Sequence, residues 1–251
     1  MPDNFEVLFT PAEFEALSKR DLGGSVCVVF DILRATSTIV TALTSGAAAV
    51  IPVAEISDAL ALRRRQLDLL LAGERDGFRI HAGLTGGVEF NFGNSPREFT
   101  ADRVAGRTIV LTTTNGSRAL RACAGARTVL IASFLNLTAT AAWLKRQIPN
   151  DLLLVCSGTH REAAYEDILG AGALADLLWT DFGKSAADSA IVAREIYEKN
   201  RLRLLEAASG SRNGRRLLAI PELRDDVSWC LEQDRFPIVA KLNGDSVVKA
   251  A

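Results

Sequence analysis

The sequence predicts an α/β fold with a largely parallel β-sheet, and two observations carry that expectation. Short β-branched runs alternate with stretches of helical spacing along the whole chain, the pattern of strands joined by crossover helices. Most of those runs are also too apolar to leave one face in water, so they suit strands covered by helices on both sides. Aromatic residues make up only 6% of the chain, which leaves the core to Leu, Val, Ile and Ala.

Taken in order, strands are expected at 26–30, 50–53, 108–111, 129–131, 152–155 and 237–240, each a short run rich in β-branched or aliphatic residues. Helical spacing or composition marks 36–45, 57–70, 117–123, 137–147, 166–179 and 186–207, and helices there supply the crossovers that parallel strands require. Three segments read as loops: the Gly-rich 83–96, the Ser/Gly/Asn-rich 209–214 and the turn at 149–151. No repeat, low-complexity tract or linker divides the 251 residues, so 1–251 is expected to form a single α/β domain, with two closely packed lobes as the variant.

Composition narrows the class of function. A formal net charge of -1 provides no long-range field for nucleic acid or for an anionic membrane, so neither is an expected partner. The start, Met1-Pro2-Asp3-Asn4, has neither a basic nor an apolar leader region, and no run is long enough to span a bilayer; a cytoplasmic protein is expected. Cys27, Cys123, Cys156 and Cys230 form no C-x-x-C pair, which argues for buried thiols rather than a zinc site or disulfides.

Ligands of open α/β sheets bind beyond the carboxyl ends of the strands. The segments at those places are polar: Asp31 to Thr38 with Arg34, Thr36 and Ser37; Thr112, Thr113, Thr114, Asn115, Gly116 and Ser117; Ser133 with Asn136; and Ser157-Gly158-Thr159. A fifth apolar run, Leu69-Leu70-Leu71-Ala72, leads into Gly73-Glu74-Arg75, and the loop at 83–96 contributes Glu89, Asn91, Asn94 and Ser95. Each segment alone has a bland reading as a turn or helix cap. Together they place carboxylates and arginines at one end of the sheet, where desolvation is costly unless a polar ligand or metal compensates.

With His81 and His160 as the only histidines, a multi-histidine metal centre is impossible, and hard oxygen donors point to magnesium. Asp31, Glu74, Glu166 and Asp167 are the candidate ligands. Arg34 and Arg75 are candidates to fork onto a phosphate or sulfonate, with N–H groups from Thr113 to Gly116 completing an anion cradle. Familiar phosphate motifs fail. Phe182-Gly183-Lys184-Ser185 has Leu178 where a Walker loop needs its first glycine, and Arg161 falls one residue too early for a cysteine-phosphatase cradle on Cys156. Asp31-Ile32-Leu33 lacks the second aspartate of the aspartyl-phosphate phosphatases, and no G-x-G-x-x-G follows the first strand expected.

At these residues the sequence resembles the 2-phosphosulfolactate phosphatase family. The segments agree in order: Asp31-x-x-Arg34-Ala35-Thr36, Leu71-Ala72-Gly73-Glu74-Arg75, Phe92-Gly93-Asn94-Ser95-Pro96, Thr112-Thr113-Thr114-Asn115-Gly116, Ser133-Phe134-x-Asn136, Cys156-Ser157-Gly158 with Glu166-Asp167, and Asp226-Val227-Ser228-Trp229-Cys230. Ser37 and Ser117 stand where threonine is expected, and 87–91 is a variant of the segment before Gly-Asn-Ser-Pro. The resemblance implies a three-layer α/β/α fold and magnesium-dependent hydrolysis of (R)-2-phospho-3-sulfolactate to 3-sulfolactate and phosphate, a step toward coenzyme M in methanogens.

On this reading Asp31, with Glu74 or Asp167, holds magnesium against the phosphate. Arg34 and Arg75 neutralise developing charge, and Thr36, Asn94, Ser95, Thr113, Thr114, Asn115, Gly116 and Ser157 contact substrate. Water is the expected nucleophile, with direct attack by Asp31 as the alternative. A noncatalytic sensor of a phosphorylated metabolite and a phosphoryl transferase are the rival functions, and a homodimer is compatible with the sequence.

Overall fold

The fold is that of a computed structural model, which describes residues 1–250. Its strands are β1 (Asn4–Leu8), β2 (Ser25–Phe30), β3 (Ala49–Val53), β4 (Leu70–Arg75), β5 (Phe78–Arg79), β6 (Thr108–Thr112), β7 (Thr128–Ala132), β8 (Asp151–Cys156), β9 (Ala240–Asn243) and β10 (Ser246–Lys249). The helices in chain order are α1 (Pro11–Glu15), α2 (Ala35–Thr44), α3 (Ile56–Arg65), α4 (Ala82–Thr85), α5 (Ala101–Val104) and α6 (Gly116–Ala122). They continue with α7 (Leu137–Gln147), α8 (Tyr165–Phe182), α9 (Asp188–Asn200), α10 (Leu204–Ser209), α11 (Arg212–Leu218) and α12 (Arg224–Cys230).

The strands join in the order β1-β8-β2-β7-β9-β10-β3-β6-β4-β5. Pairing is parallel within two blocks, β1-β8-β2-β7 and β3-β6-β4. The hairpin β9–β10 joins the blocks through antiparallel pairs on both of its sides. Sequence alternation sorts the side chains into three layers, because successive residues of a strand face opposite sides. Cys27 and Val29 of β2, with Ile109, Leu111 and Leu153, pack against Ile39, Val40 and Leu43 of α2 and Leu120 of α6. Val26, Val28 and Phe30, with Leu152 and Leu154, pack on the opposite face against Leu144 of α7 and Leu169, Leu174 and Leu178 of α8. The second block has its own cover there, Leu71 and Val110 meeting Ala59 of α3 and Phe90. This is the three-layer α/β/α arrangement with a mostly parallel sheet.

Several boundaries differ from the sequence expectation. The helix expected over 57–70 ends at Arg65, since Leu70–Gly73 instead pair with Ile109–Thr112 and the ladder outweighs the helical pattern. The helix expected over 186–207 breaks into α9, a 3-10 turn at Arg201–Arg203 and α10, with Asn200 donating to Tyr165 Oη (3.1 Å) at the break. The stretch 209–214, expected as a loop, opens α11: Ser211 Oγ caps it by accepting from the Gly214 N–H at 2.9 Å. The last expected strand starts at Ala240 rather than Pro237, which lacks an N–H for a ladder. β1, β5 and β10 are additions, the last turning back from β9 through the two-residue turn Gly244-Asp245, where Gly244 takes a positive φ.

Across the central hairpin the two parallel blocks run in nominally opposite senses. A sheet twists by roughly 20–25° per strand, and β6 lies five steps from β2. The accumulated rotation, roughly 100–125°, turns opposed strands into crossing ones, and the loops leaving β2, β4, β6 and β8 line one cleft. Among the described residues, no helix is long and apolar enough to cross a membrane.

Candidate active site

Asp31 follows β2 and precedes α2, and the connection is stitched on both sides. Its Oδ1 accepts the Ala35 N–H (3.2 Å), its own N–H donates to Thr36 Oγ1 (3.1 Å), and Ser37 Oγ donates to Ile32 O (2.9 Å). The start of α6 closes on the same carboxylate: a Cβ on Gly116 would lie 2.8 Å from Asp31 Oδ2 and 2.9 Å from Ala35 Cβ, so only glycine admits this approach.

Two other carboxylates fix the surrounding loops. Glu74 Oε1 accepts from the N–H (3.2 Å) and Oγ1 (3.0 Å) of Thr114, while Oε2 accepts from the Gly77 N–H (2.8 Å). Asp167, in the first turn of α8, accepts from Ile32 N–H through Oδ1 (2.8 Å) and from Gly158 N–H through Oδ2 (3.1 Å). It therefore ties the loop after β2 to the loop after β8. Asp31, Glu74 and Asp167 line one cleft together with Arg34, Asn94, Thr113, Thr114 and Asn115.

The electrostatics of this cluster are strained by its own charge. Burial pushes the Asp31 carboxyl up to about 6; the Ala35 N–H opposes this, and the charges of Glu74 and Glu166 add to it. Asp167 is raised well above the usual carboxylate range, first by burial and then by Asp31 and Glu166. Asn94 Oδ1 and Thr113 Oγ1 of the cleft lining, Ser157 Oγ just after β8 and Glu166 Oε2 of the neighbouring groove are buried without a hydrogen-bond partner. Buried polar atoms in native proteins are nearly always satisfied, so a site with unsatisfied acceptors and mutually repelling carboxylates fits a hard cation. Among the described residues, no group of three or more His, Cys, Asp or Glu side chains is placed to hold a metal alone. Magnesium does not require one, since it binds through one or two carboxylates and completes its shell with water and substrate phosphate.

Other candidates lie elsewhere, for definable reasons. Glu74 and Arg75 are neighbours on β4 and must face opposite ways. Arg75 is outside the cleft; its guanidinium donates to Glu74 O (2.7 Å), Thr112 Oγ1 (3.2 Å) and Ala54 O (3.3 Å). Glu166 and Asp167 are one helical step apart, and Glu166 lines a neighbouring groove of about 450 Å³, where its Oε1 accepts from Asn213 Nδ2 (2.5 Å). Arg34 does line the cleft, but it is buried, with Nη1 on Asp226 Oδ2 (2.7 Å) and Nη2 on Gly77 O (2.9 Å). Thr36 and Gly116 support Asp31 from behind, Ser95 Oγ donates to Asp226 Oδ1 (2.6 Å), and Ser157 is buried under the β8 loop. Cys156 is fully buried and its thiol is pushed well above its ordinary value, chiefly by burial, which suits a structural role.

Sequence reasoning gave no role to several residues that the cleft or its frame uses. Asp226 is fully buried and anchors Arg34, Ser95 and Arg97; it stood only in a motif of the family resemblance. Asp76, His160, Asn213 and Arg216 line the cleft. The polar run Arg212-Asn213-Gly214-Arg215-Arg216, just before Leu217-Leu218, was the one available signal for the last two.

Fold and cleft together define a three-layer α/β protein with an acidic, amide-lined cleft where the loops following its parallel strands meet. Comparison with known proteins gives the particular family: the family model described as 2-phosphosulpholactate phosphatase matches residues 11–245, and the chain belongs to that family. Its relatives include three proteins named "Probable 2-phosphosulfolactate phosphatase". The one from Caldanaerobacter subterraneus subsp. tengcongensis is 36% identical over 247 residues, covering 96% of this chain and 97% of the relative. That of Thermotoga maritima is 38% identical over 224 residues, 88% of this chain and 91% of its own length. The Symbiobacterium thermophilum protein is 37% identical over 231 residues, 91% and 95% of the two chains.

Proposed function

We propose that this chain is a phosphatase that hydrolyses (R)-2-phospho-3-sulfolactate, or a closely related small acidic phosphoester, to the hydroxy acid and phosphate with the help of magnesium. The observation that carries the reading is the Asp31 cluster, with Asp31, Glu74, Asp76 and Asp167 all lining one cleft beside unsatisfied polar atoms, in a chain of this family. Asp31 and Asp167 would hold the metal. When bound, magnesium would offset the charge of the phosphoryl oxygens. Glu74 keeps the Thr114 N–H and hydroxyl in place, so the Thr113–Asn115 loop presents its remaining polar groups to the cleft without reorganising. Arg34, held by Asp226 and Gly77 O, supplies a fixed positive charge at the cleft wall. Water attacks phosphorus, and the bond between phosphorus and the ester oxygen breaks, with a proton passing to the departing hydroxy acid.

The test is a phosphate-release screen of 2-phospho acids, phosphosulfolactate and phosphoglycolate among them, with magnesium and with a chelator. Release that depends on magnesium supports the reading. No turnover of any substrate, or full activity under chelation, defeats it. A labelled phosphate trapped on the protein and absent from Asp31→Asn would replace attack by water with attack by Asp31.

A further inference from the structure

The cleft contains three cationic or potentially cationic side chains, Arg34, His160 and Arg216. Arg34 has both terminal nitrogens engaged by Asp226 and Gly77 O, and it is buried. Arg216 differs on every count. It is exposed at the cleft rim, and among the described residues it makes no ion pair or side-chain hydrogen bond, although the arginines before it on α11 do: Arg212 pairs with Glu162, and Arg215 donates to Gly210 O.

The helix that carries Arg216 is held firmly at this rim. Asn213, three residues earlier and so on the same face, is buried and donates to both Thr159 Oγ1 (2.7 Å) and Glu166 Oε1 (2.5 Å). A Cβ on Gly214 would lie 2.1 Å from Ala208 O, so α11 packs on α10 closer than any other residue would allow. Ser211 caps the first turn. An uncommitted guanidinium is thus presented to the cleft by a helix that cannot easily shift.

The room enclosed by the cleft walls is about 40 Å³, enough for a few waters at roughly 10–15 Å³ each. It accepts an ion with its nearest ligand atoms but not a three-carbon acid bearing further charged groups. The rest of such a substrate must lie outward, at the rim. We infer that Arg216 recognises the second acidic group of the substrate, its carboxylate or sulfonate, while the phosphate sits deeper at the Asp31 cluster. A guanidinium fork matches either anion. The inference rests on the phosphatase reading and assigns the specificity of the same site.

Calorimetry on the full chain with magnesium present tests it, using 3-sulfolactate and inorganic phosphate as separate probes. In Arg216→Ala, sulfolactate affinity is expected to fall at least about tenfold, the loss of a charge-assisted pair, while phosphate affinity falls less than about threefold. Arg216→Lys, which keeps the charge without the fork, is expected to fall between. Unchanged sulfolactate binding, equal weakening of both probes, or no binding of sulfolactate by the unaltered protein would each overturn the assignment. Failure of the phosphatase reading is seen separately, as sulfolactate binding that depends on Arg216 in a protein that releases no phosphate from any 2-phospho acid.

Discussion

Asp226 and Arg34 form an ion pair with Nη1 to Oδ2 at 2.7 Å, both side chains all but sealed from solvent. The other oxygen of Asp226 receives Ser95 Oγ at 2.6 Å and Arg97 Nε at 2.8 Å, so one carboxylate from α12 fixes the loop after β2 and the Gly-Asn-Ser-Pro segment together. Removing one member of a buried pair leaves the other charge uncompensated, at a cost of about 3–5 kcal/mol. Asp226→Ala should lose that much stability in urea unfolding. The Asp226→Ala/Arg34→Met double variant should recover part of it while remaining inactive. Equal stability of the single and double variants would show that the pair carries no such coupling.

The Asp31 carboxyl predicts a pH dependence whose sign can be worked out. Its folded pKa of about 6 lies above the unfolded value, so the folded state holds a proton that the unfolded state releases. Stability of the metal-free protein should therefore be greatest below about pH 4 in this term and fall as pH rises to about 6; Asp167 is shifted in the same direction. Asp31→Asn removes the titration. Because the carboxyl borders an open cleft, the gain at neutral pH should be about 1–2 kcal/mol rather than the full shift, with phosphate release reduced at least about a hundredfold. Thermal melts in chelator from pH 4 to 8 check this, and parallel curves for the two proteins would refute it.

The same repulsion predicts what magnesium does to stability. A cation that binds only the folded state adds about 2.7 kcal/mol at a hundred times its dissociation constant. Below about pH 6 it must also displace the proton held by Asp31. The magnesium-induced rise in melting temperature should thus be larger at pH 7.5 than at pH 5 and should be abolished in Asp31→Asn. An equal rise in both proteins would place the ion elsewhere.

Much of the fold could be read from local pattern, because β2, β3, β6, β7 and β8 are short aliphatic runs that need no partner to be seen, whereas β1 carries Asn4 and Glu6 and the start of β4 continues a helical pattern. The hairpin β9–β10 was half hidden: β9 has four residues, its partner besides β10 is β7, more than a hundred residues earlier in the chain, and its apolar run begins at Pro237. The site divides in the same way. Asp31, Glu74 and Asp167 stand at element ends where polar residues attract notice, whereas the partners that fix Arg34 and Asn213 lie far off in the chain: Asp226 is 192 residues from Arg34, and Thr159 is 54 from Asn213. Adjacent residues misled for a geometric reason. Composition sees Glu74-Arg75 or Glu166-Asp167 as a unit, but a strand turns neighbours to opposite faces and a helix separates them by about 100°.

Arg75 provides the sharpest check of that geometry. As a cleft residue it would bind the phosphoryl group, and its loss would cost several orders of magnitude in rate. Its guanidinium instead bridges Glu74 O, Ala54 O and Thr112 Oγ1, tying the end of β4 to β6 and to the turn after β3. Arg75→Ala should therefore lower stability by about 1–2 kcal/mol, the worth of a few partly exposed hydrogen bonds to a charged group. It should leave kcat/KM within about fivefold, because Glu74 retains its own bonds to Thr114 and Gly77. Steady-state kinetics beside a urea titration separates the two roles: a loss beyond about a hundredfold in kcat at nearly unchanged stability would put this guanidinium back on the substrate.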